Sequence, residues 1–302
     1  MADAFLTGVS DLIGTAITQQ NMRDRCQPPG LTHSASAAAE LCVSVCVDRS
    51  SMGSIELLGT GMDGQTPASG ALAPLHDPTR IKKELSVNTV SSPQVVEILN
   101  RLFLESDASE PALQAVAQSD ASRSLNSRNS YREFYGLLKD IPLPVSRQTG
   151  ALLYMLARTT RAKSVLEFGT SFGVSTIYLA AALRDIGGGR IIATEFESSK
   201  AARAREHLTE AGLIDLVEIR EGDALETLAH NLPGTLDLVL LDGAKPLYAD
   251  ILRLVEARLR PGSLLVADDA DRCPEFVSRM REDERHYLSV PLAGDLEISM
   301  RL

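Results

Sequence analysis

From residue 164 onward, short runs of leucine and β-branched residues alternate with longer amphipathic segments five times in succession. The apolar runs are predicted strands, at 164–168, 190–194, 216–220, 236–241 and 263–267. Helical periodicity fills the intervals between them, as in residues 173–185 and 198–212. Apolar strands separated by helices predict a parallel sheet that is covered by helices on both faces. The expected core is therefore a doubly wound α/β domain.

Helices and a hairpin are predicted on either side of this core. Ser92 and Pro93 mark the start of a helix, because serine is a common N-cap and proline fits the first helical position. Residues 131–159 predict two more helices, separated by a turn that contains proline. Residues 286–292 and 296–302 have strand-like patterns joined by a short turn. The complete expectation is a mostly parallel α/β sheet with N-terminal helices and a C-terminal antiparallel hairpin.

The first 88 residues differ in composition from the rest of the chain. They are rich in alanine, serine, glycine and threonine, contain turn formers such as "QPPG", and show no sustained helical or strand periodicity. Such a segment buries too little apolar surface to offset the entropy lost on ordering. We therefore expect residues 1–88 to be a disordered or weakly ordered extension, and residues 89–302 to form the domain.

Charge and hydropathy argue against several classes of protein. The net charge of -10 is opposite in sign to the basic surface of most nucleic-acid binders. No apolar run approaches the roughly 18 residues that a membrane-spanning helix needs, and no basic region precedes the first apolar residues. Four cysteines are too few for a disulfide scaffold in a chain of 302 residues. The expectation is a cytoplasmic protein with neither membrane nor nucleic-acid partners.

Residues that follow the predicted strands are candidates for a ligand site, because doubly wound sheets bind ligands at the carboxyl ends of their strands. Gly169 and Gly173 follow the first strand and permit either a close ligand approach or simply a tight turn. Glu195 follows the second strand and can bind both hydroxyls of a ribose, or only favour a helix N-terminus. Asp223 follows the third and can accept from an adenine amino group, or cap the next helix.

The fourth and fifth strands run into acidic clusters. "LDGAK" contains Asp242 and Lys245, and "VADDAD" contains Asp268 and Asp269. Carboxylates packed side by side repel one another, so these clusters need a compensating positive charge. The glycine spacing after the first strand, E-x-G-x-x-x-G, differs from the dinucleotide fingerprint G-x-G-x-x-G and argues against a nicotinamide cofactor.

Residues from about 145 to 302 resemble the class I S-adenosylmethionine-dependent O-methyltransferases of the catechol and caffeoyl-CoA type, whose fold is Rossmann-like. "VLEFGTSFGVST" is similar to the first motif of that family, which surrounds the methionine part of the cofactor. The resemblance implies that S-adenosylmethionine is bound by the following residues: Val145, Glu167, Gly169, Ser171, Gly173, Ser175, Glu195, Asp223, Ala224 and Asp242.

The two acidic clusters resemble the D-x-x-K and A-D-N elements of the same family. The resemblance implies that Asp242, Asp268 and Asp269 are oxygen ligands of a divalent cation, conventionally Mg²⁺. Asp269 stands where the family usually has asparagine, which leaves three alternatives: tighter binding, a preference for Mn²⁺ or Ca²⁺, or a lost metal site. Lys245 is the expected catalytic residue, with a pKa depressed by the cation so that it accepts the acceptor's proton.

The expected function is methyl transfer from S-adenosylmethionine to a hydroxyl of a small aromatic or natural-product acceptor. One alternative is a tRNA methyltransferase that acts on a hydroxylated uridine, against which the acidic charge weighs. Another is a cofactor-binding protein that has lost its metal through Asp269. A homodimer is compatible with the sequence.

Deletion of residues 1–88 is expected to leave a folded protein with unchanged methyl transfer, because the deleted segment has no pattern of core residues. The measurement compares the full chain and the truncated chain by circular dichroism and by transfer of labelled methyl groups. Loss of folded protein on truncation would contradict the assignment of an extension.

Overall fold

The structure is a computed structural model that describes residues 88–119, 127–292 and 295–302. The predicted extension over residues 1–88 therefore lies, apart from Asn88, outside the described residues. Its predicted disorder and the domain boundary at residue 89 stay predictions.

Seven strands of the described chain form one sheet. The strands are β1 (Ser164–Phe168), β2 (Arg190–Glu195), β3 (Val217–Glu221), β4 (Leu236–Leu241), β5 (Leu259–Ala267), β6 (Tyr287–Leu292) and β7 (Leu296–Arg301). Their order in the sheet is β3-β2-β1-β4-β5-β7-β6. β1 to β5 are parallel, whereas β7 pairs antiparallel with both β5 and β6. The predicted fold class, a mostly parallel sheet with a C-terminal antiparallel hairpin, is confirmed.

Helices connect the parallel strands and cover both faces of the sheet. They are α1 (Pro93–Ala117), α2 (Tyr131–Leu137), α3 (Arg147–Thr159), α4 (Val174–Asp185), α5 (Ser198–Glu210), α6 (Ala224–Thr227), α7 (Tyr248–Val255) and α8 (Pro274–Glu282). The predicted start of α1 is found, with Ser92 as N-cap and Pro93 in the first turn. Within the described ranges, no helix is both long enough and apolar enough to cross a lipid bilayer.

Two predicted elements differ from the structure. β5 begins at Leu259, four residues before the predicted strand. The interval between β3 and β4, where helical periodicity predicts a helix, contains only the single turn α6. The Arg220 guanidinium donates to the carbonyl oxygens of Thr227, His230 and Asn231 at 2.7–2.9 Å. Because these carbonyls are satisfied by a side chain, the chain leaves the helix after one turn.

Alternate strand residues pack into two separate cores. Val165 and Leu238 contact the core that contains α1, α3 and α4. Leu166 and Val239 contact the core that contains α7 and α8. Every residue of β4 is buried, as expected for a central strand covered on both faces.

The turn after β1 brings neighbouring strand ends into contact. Gly169 has φ +99°, and a Cβ built there would lie 2.5 Å from the Asp242 carbonyl oxygen. The Gly169 and Thr170 amides donate to the Thr194 carbonyl oxygen at 3.2 and 3.0 Å. Only glycine combines this backbone conformation with this close approach.

Gly169→Ala is expected to lower the free energy of unfolding by about 3 kcal/mol, because left-handed strain adds to an overpacked contact with backbone atoms. Gly188→Ala is the matched control, since Gly188 has φ +97° but no atom lies within 4 Å of the position that a Cβ would take there. The control should cost about 1 kcal/mol, from backbone strain alone. Urea denaturation measures both, and equal losses would show that the contact with Asp242 is not tight.

Candidate active site

A cavity lies at the carboxyl ends of the central strands, where doubly wound sheets bind their ligands. Six of the predicted cofactor-binding residues line it: Gly169, Ser171, Glu195, Asp223, Ala224 and Asp242. They follow four different strands, and the parallel arrangement brings them to one edge of the sheet. Their proximity is a structural finding, whereas their role in binding stays a prediction.

The other predicted cofactor-binding residues do not line this cavity. Val145 and Ser175 are buried in the protein interior. Gly173 is the N-cap of α4, in a left-handed conformation with φ +93°. Glu167 is completely buried. In this structure these four residues contribute to packing and to the backbone path around the cavity.

Glu195 is held rigidly at the end of β2. Its Oε2 accepts the Ser171 amide at 2.8 Å, and its Oε1 accepts the Glu197 amide at 2.9 Å. Each carboxylate oxygen has two lone pairs, so each can accept one more hydrogen bond. Burial raises the pKa of Glu195, and its amide partners and the nearby Lys200 oppose that effect. This carboxylate is therefore positioned as an acceptor for a ligand in the cavity.

Glu167 forms a buried acid site beneath the turn that follows β1. Its carboxylate accepts hydrogen bonds from the hydroxyls of Thr170, Ser175 and Thr176. Burial raises its pKa to about 7, although the three hydroxyls favour the charged form. Glu167 and Ser175 bind each other in this structure, and their predicted contacts with the cofactor stay predictions.

Asp223 has several partners within the protein. Its Oδ1 accepts the Leu225 amide at 2.9 Å, which caps α6. Its Oδ2 accepts the Tyr131 hydroxyl at 2.6 Å and also the Arg132 guanidinium. Burial opposes the charge on Asp223, but these hydrogen bonds outweigh it and lower the pKa. The residue thus serves as a helix cap, as one alternative predicted, and also lines the cavity.

α2 contributes an aromatic part of the cavity wall that the sequence analysis did not predict. Tyr131 and Tyr135, four residues apart on this helix, both line the cavity. The Tyr135 hydroxyl donates to the Gly243 carbonyl oxygen at 3.4 Å. The sequence signal was the spacing of the two tyrosines, which places them on one helix face. That spacing is also common in helices that only pack against a core.

A charged cluster adjoins the cavity at Asp242. Lys245 Nζ donates to Asp242 Oδ1 at 3.1 Å and to the Tyr248 hydroxyl at 3.0 Å. The same ammonium lies 3.1 Å from Asp269 Oδ2, and Arg272 lies 3.8 Å from that oxygen. The Tyr248 hydroxyl donates to the Asp268 carbonyl oxygen at 2.8 Å. Lys245 supplies part of the compensating charge that the acidic clusters require, but burial and the neighbouring carboxylates still raise the pKa of Asp242 to about 6 and that of Asp268 well above its ordinary value.

The protonation of Lys245 is set in this structure by its acidic and phenolic neighbours. Burial lowers its pKa, but the charges of Tyr248, Asp242 and Asp269 outweigh burial and hold the pKa well above its usual value. In this arrangement Lys245 is an ammonium, which donates hydrogen bonds and cannot accept a proton. The depressed pKa that is expected for Lys245 beside a bound divalent cation stays a prediction.

The predicted metal ligands do not form a metal site in this arrangement. Among the described residues, no three acidic, histidine or cysteine side chains are grouped so as to hold an ion. Two of the predicted ligands, Asp242 and Asp269, instead contact the Lys245 ammonium. The donor set as arranged here does not fit a dication, and the predicted Mg²⁺ site stays a prediction.

Comparison with known proteins identifies relatives of one kind. Residues 166–270 match a family described as a methyltransferase domain. The chain is 37% identical over 133 residues to a catechol O-methyltransferase of Niastella koreensis, covering 43% of this chain and 59% of that enzyme. It is 33% identical over 175 residues to a Mycobacterium sp. (strain JLS) protein named "Putative O-methyltransferase", covering 52% of this chain and 79% of that protein. The chain thus spans less than two thirds of the first of these relatives.

The fold also matches a solved structure. A methyltransferase of Podospora anserina, solved with S-adenosylhomocysteine bound, aligns with a TM-score of 0.52 and covers 77% of this chain and 99% of its own length. Its sequence identity is 18%, so this likeness shows the fold alone.

Glu167 is expected to make the stability of the protein depend on pH. Its folded pKa of about 7 exceeds the ordinary 4.5, so its contribution to stability is highest below pH 4.5 and falls as the pH rises to about 7. Relative to the wild type, Glu167→Gln should therefore gain about 2 to 3 kcal/mol between pH 5 and pH 8. Urea denaturation at both pH values measures this gain.

The exposed Glu206 provides a matched control for this measurement. Glu206→Gln should change stability equally at both pH values, because the Glu206 side chain stays exposed to solvent in the folded protein. A gain in Glu167→Gln no larger than the control would show that Glu167 is charged throughout this range.

Proposed function

Because this chain belongs to the class I S-adenosylmethionine-dependent O-methyltransferases, we propose that it transfers a methyl group from S-adenosylmethionine to a hydroxyl of a small acceptor. The observation that carries this proposal is the position of Asp242. It lines the cavity and also accepts a hydrogen bond from Lys245. A cofactor cavity and a polar cluster suited to an acceptor hydroxyl therefore meet at one residue.

The cavity residues fit the parts of this cofactor. Glu195 retains acceptor capacity for ribose hydroxyls. The left-handed turn at Gly169 removes side-chain bulk from the wall, which lets a ligand approach the backbone. When bound, S-adenosylmethionine supplies an electrophilic methyl carbon, whose bond to sulfur breaks as its bond to the acceptor oxygen forms.

Asp242 and Lys245 have different roles toward the acceptor hydroxyl. The Asp242 carboxylate accepts the proton that the hydroxyl loses when the new bond forms. The Lys245 ammonium, which is held by Asp242 and Asp269, stabilises negative charge on the acceptor oxygen. This division revises the expected role of Lys245 from proton acceptor to hydrogen-bond donor.

The acceptor that suits this wall is a small aromatic alcohol. Tyr131, Tyr135 and Leu247 line the cavity together with Asp242. Aromatic and aliphatic side chains favour a flat apolar ring by burial and by edge or stacking contacts. The catechol O-methyltransferase relative supports the same class of acceptor.

Methyl transfer in excess EDTA tests whether the Lys245 ammonium or a bound dication supplies the positive charge beside the acceptor oxygen. If the Lys245 ammonium is sufficient, the rate with catechol and labelled cofactor is the same with EDTA as with Mg²⁺, and this is the expected result. A rate that requires Mg²⁺ would show that Asp242, Asp268 and Asp269 rearrange around a dication, as the family resemblance implies. The nucleic-acid alternative is tested separately, with bulk tRNA in place of catechol. We expect no incorporation of labelled methyl groups into the tRNA.

The variant Lys245→Met tests the catalytic role of the Lys245 ammonium directly. It is expected to lower kcat by at least about 100-fold, the usual cost of removing a positioned proton-transfer or charge-stabilising group. Lys163→Met is the matched control, because Lys163 is exposed beside the amino end of β1 and its ammonium donates to the carbonyl oxygens of Ile186 and Gly188. Unchanged kcat in Lys245→Met would contradict its catalytic role.

A further inference from the structure

Lys200 is a buried lysine in the wall of the cavity. It lies in the first turn of α5, with only 3% of its surface exposed, and it lines the same cavity as Glu195. Buried lysines are rare and are normally paired with a carboxylate, because an ammonium loses its hydration when it leaves water. The position therefore requires an explanation in terms of a partner.

No such partner is found in the described part of the chain. No carboxylate lies within 4.0 Å of the Lys200 ammonium, and no hydrogen bond of that ammonium is formed with described residues. The ammonium lies over the ring of Phe172, whose centroid is 5.7 Å away. Burial lowers the pKa of Lys200, and the charges of Glu195 and Glu197 oppose this without direct contact. An ammonium beside a cavity that has no carboxylate partner is free to donate hydrogen bonds to a ligand in that cavity.

The surrounding charges select the kind of ligand. Glu195 and Glu197 line the cavity beside Lys200. Two carboxylates repel a phosphate or another anion more strongly than one ammonium attracts it. A neutral hydroxyl suits the site better, because it donates its proton to a carboxylate and accepts a hydrogen bond from an ammonium at the same oxygen. A ribose presents two such hydroxyls.

We propose that Lys200 is a further cofactor-binding residue, whose ammonium donates a hydrogen bond to a ribose hydroxyl oxygen while Glu195 accepts the ribose hydroxyl protons. This assignment rests on the proposed function, since it requires an adenosine-containing cofactor in the cavity. Lys200 thereby specifies the hydroxylated ribose, in addition to neutralising part of the acidic wall. A lysine that served only to balance Glu195 would not distinguish ligands with and without these hydroxyls.

Calorimetry with S-adenosylhomocysteine and its 2′-deoxy and 3′-deoxy analogues tests the assignment. The wild type should bind the parent compound at least about 10-fold more tightly than one of the analogues, because an unmet hydrogen bond to a charged group is costly. In Lys200→Met that ratio should fall by at least about 3-fold, since the ammonium no longer contributes, and it should stay above 1 because Glu195 still accepts from a ribose hydroxyl. Lys163→Met should keep the wild-type ratio, because Lys163 is exposed beside the amino end of β1.

Folding of the variant is checked in the same samples by urea denaturation. Methionine has a similar apolar stem and no charge to bury, so Lys200→Met is expected to be at least as stable as the wild type. If it does not fold, Lys200→Leu replaces it. A wild type that binds all three compounds equally already overturns the assignment, without any variant.

Two results distinguish the failure of this inference from failure of the proposed function. Equal ratios in the wild type and in Lys200→Met would overturn the role of Lys200 and leave methyl transfer intact. Weaker binding of all three compounds by the same factor would show a purely electrostatic role and would also overturn it. If the wild type binds no S-adenosylhomocysteine and transfers no methyl group, both proposals are wrong.

Discussion

The contact between the carboxyl ends of β1 and β4 is the constraint on which the rest of the site depends. The Asp242 amide donates to the Phe168 carbonyl oxygen at 2.8 Å, and Gly169 then turns in a conformation that a side chain would obstruct. This turn carries Ser171, whose amide holds Glu195. The strand end carries Asp242, which holds Lys245. One backbone contact therefore joins the cavity to the charged cluster.

The carboxyl groups at this edge of the sheet are stabilised by different kinds of partner, and the kind of partner indicates what each residue does. Glu167 is surrounded by hydroxyls and holds a proton to about pH 7. Asp223 is bound by Tyr131 and Arg132. Asp242 shares the Lys245 ammonium with a neighbouring strand end. Glu195 is the fourth acid, and of the four only Glu195 has both carboxylate oxygens bound by backbone amides while it can still accept hydrogen bonds. It also lies next to Lys200, which has no carboxylate partner among the described residues.

Much of the fold could be predicted from the sequence, because its main features are local. Apolar strands of a buried parallel sheet are continuous along the chain, and β1 and β4 have the predicted bounds. The end of α6 could not be predicted, since it depends on a side chain of β3, Arg220, that reaches the carbonyls of the following segment. The contribution of α2 to the cavity was missed for a similar reason. Its tyrosines contact residues about 90 to 110 positions later in the chain.

The sequence alone determines which chemical groups lie at this edge of the sheet. All parallel strands end there, so the residues that follow each strand in the sequence are found there. The tertiary structure decides which of those groups contact one another. It pairs Glu167 with hydroxyls, places the Lys245 ammonium between Asp242 and Asp269, and leaves Lys200 beside the cavity without a carboxylate partner in the described chain. These outcomes depend on contacts of a few ångströms between groups whose separation in the chain ranges from 3 residues, for Asp242 and Lys245, to 24 residues, for Lys245 and Asp269. Electrostatic and hydrogen-bond energies change steeply over such distances, and sequence spacing does not specify them.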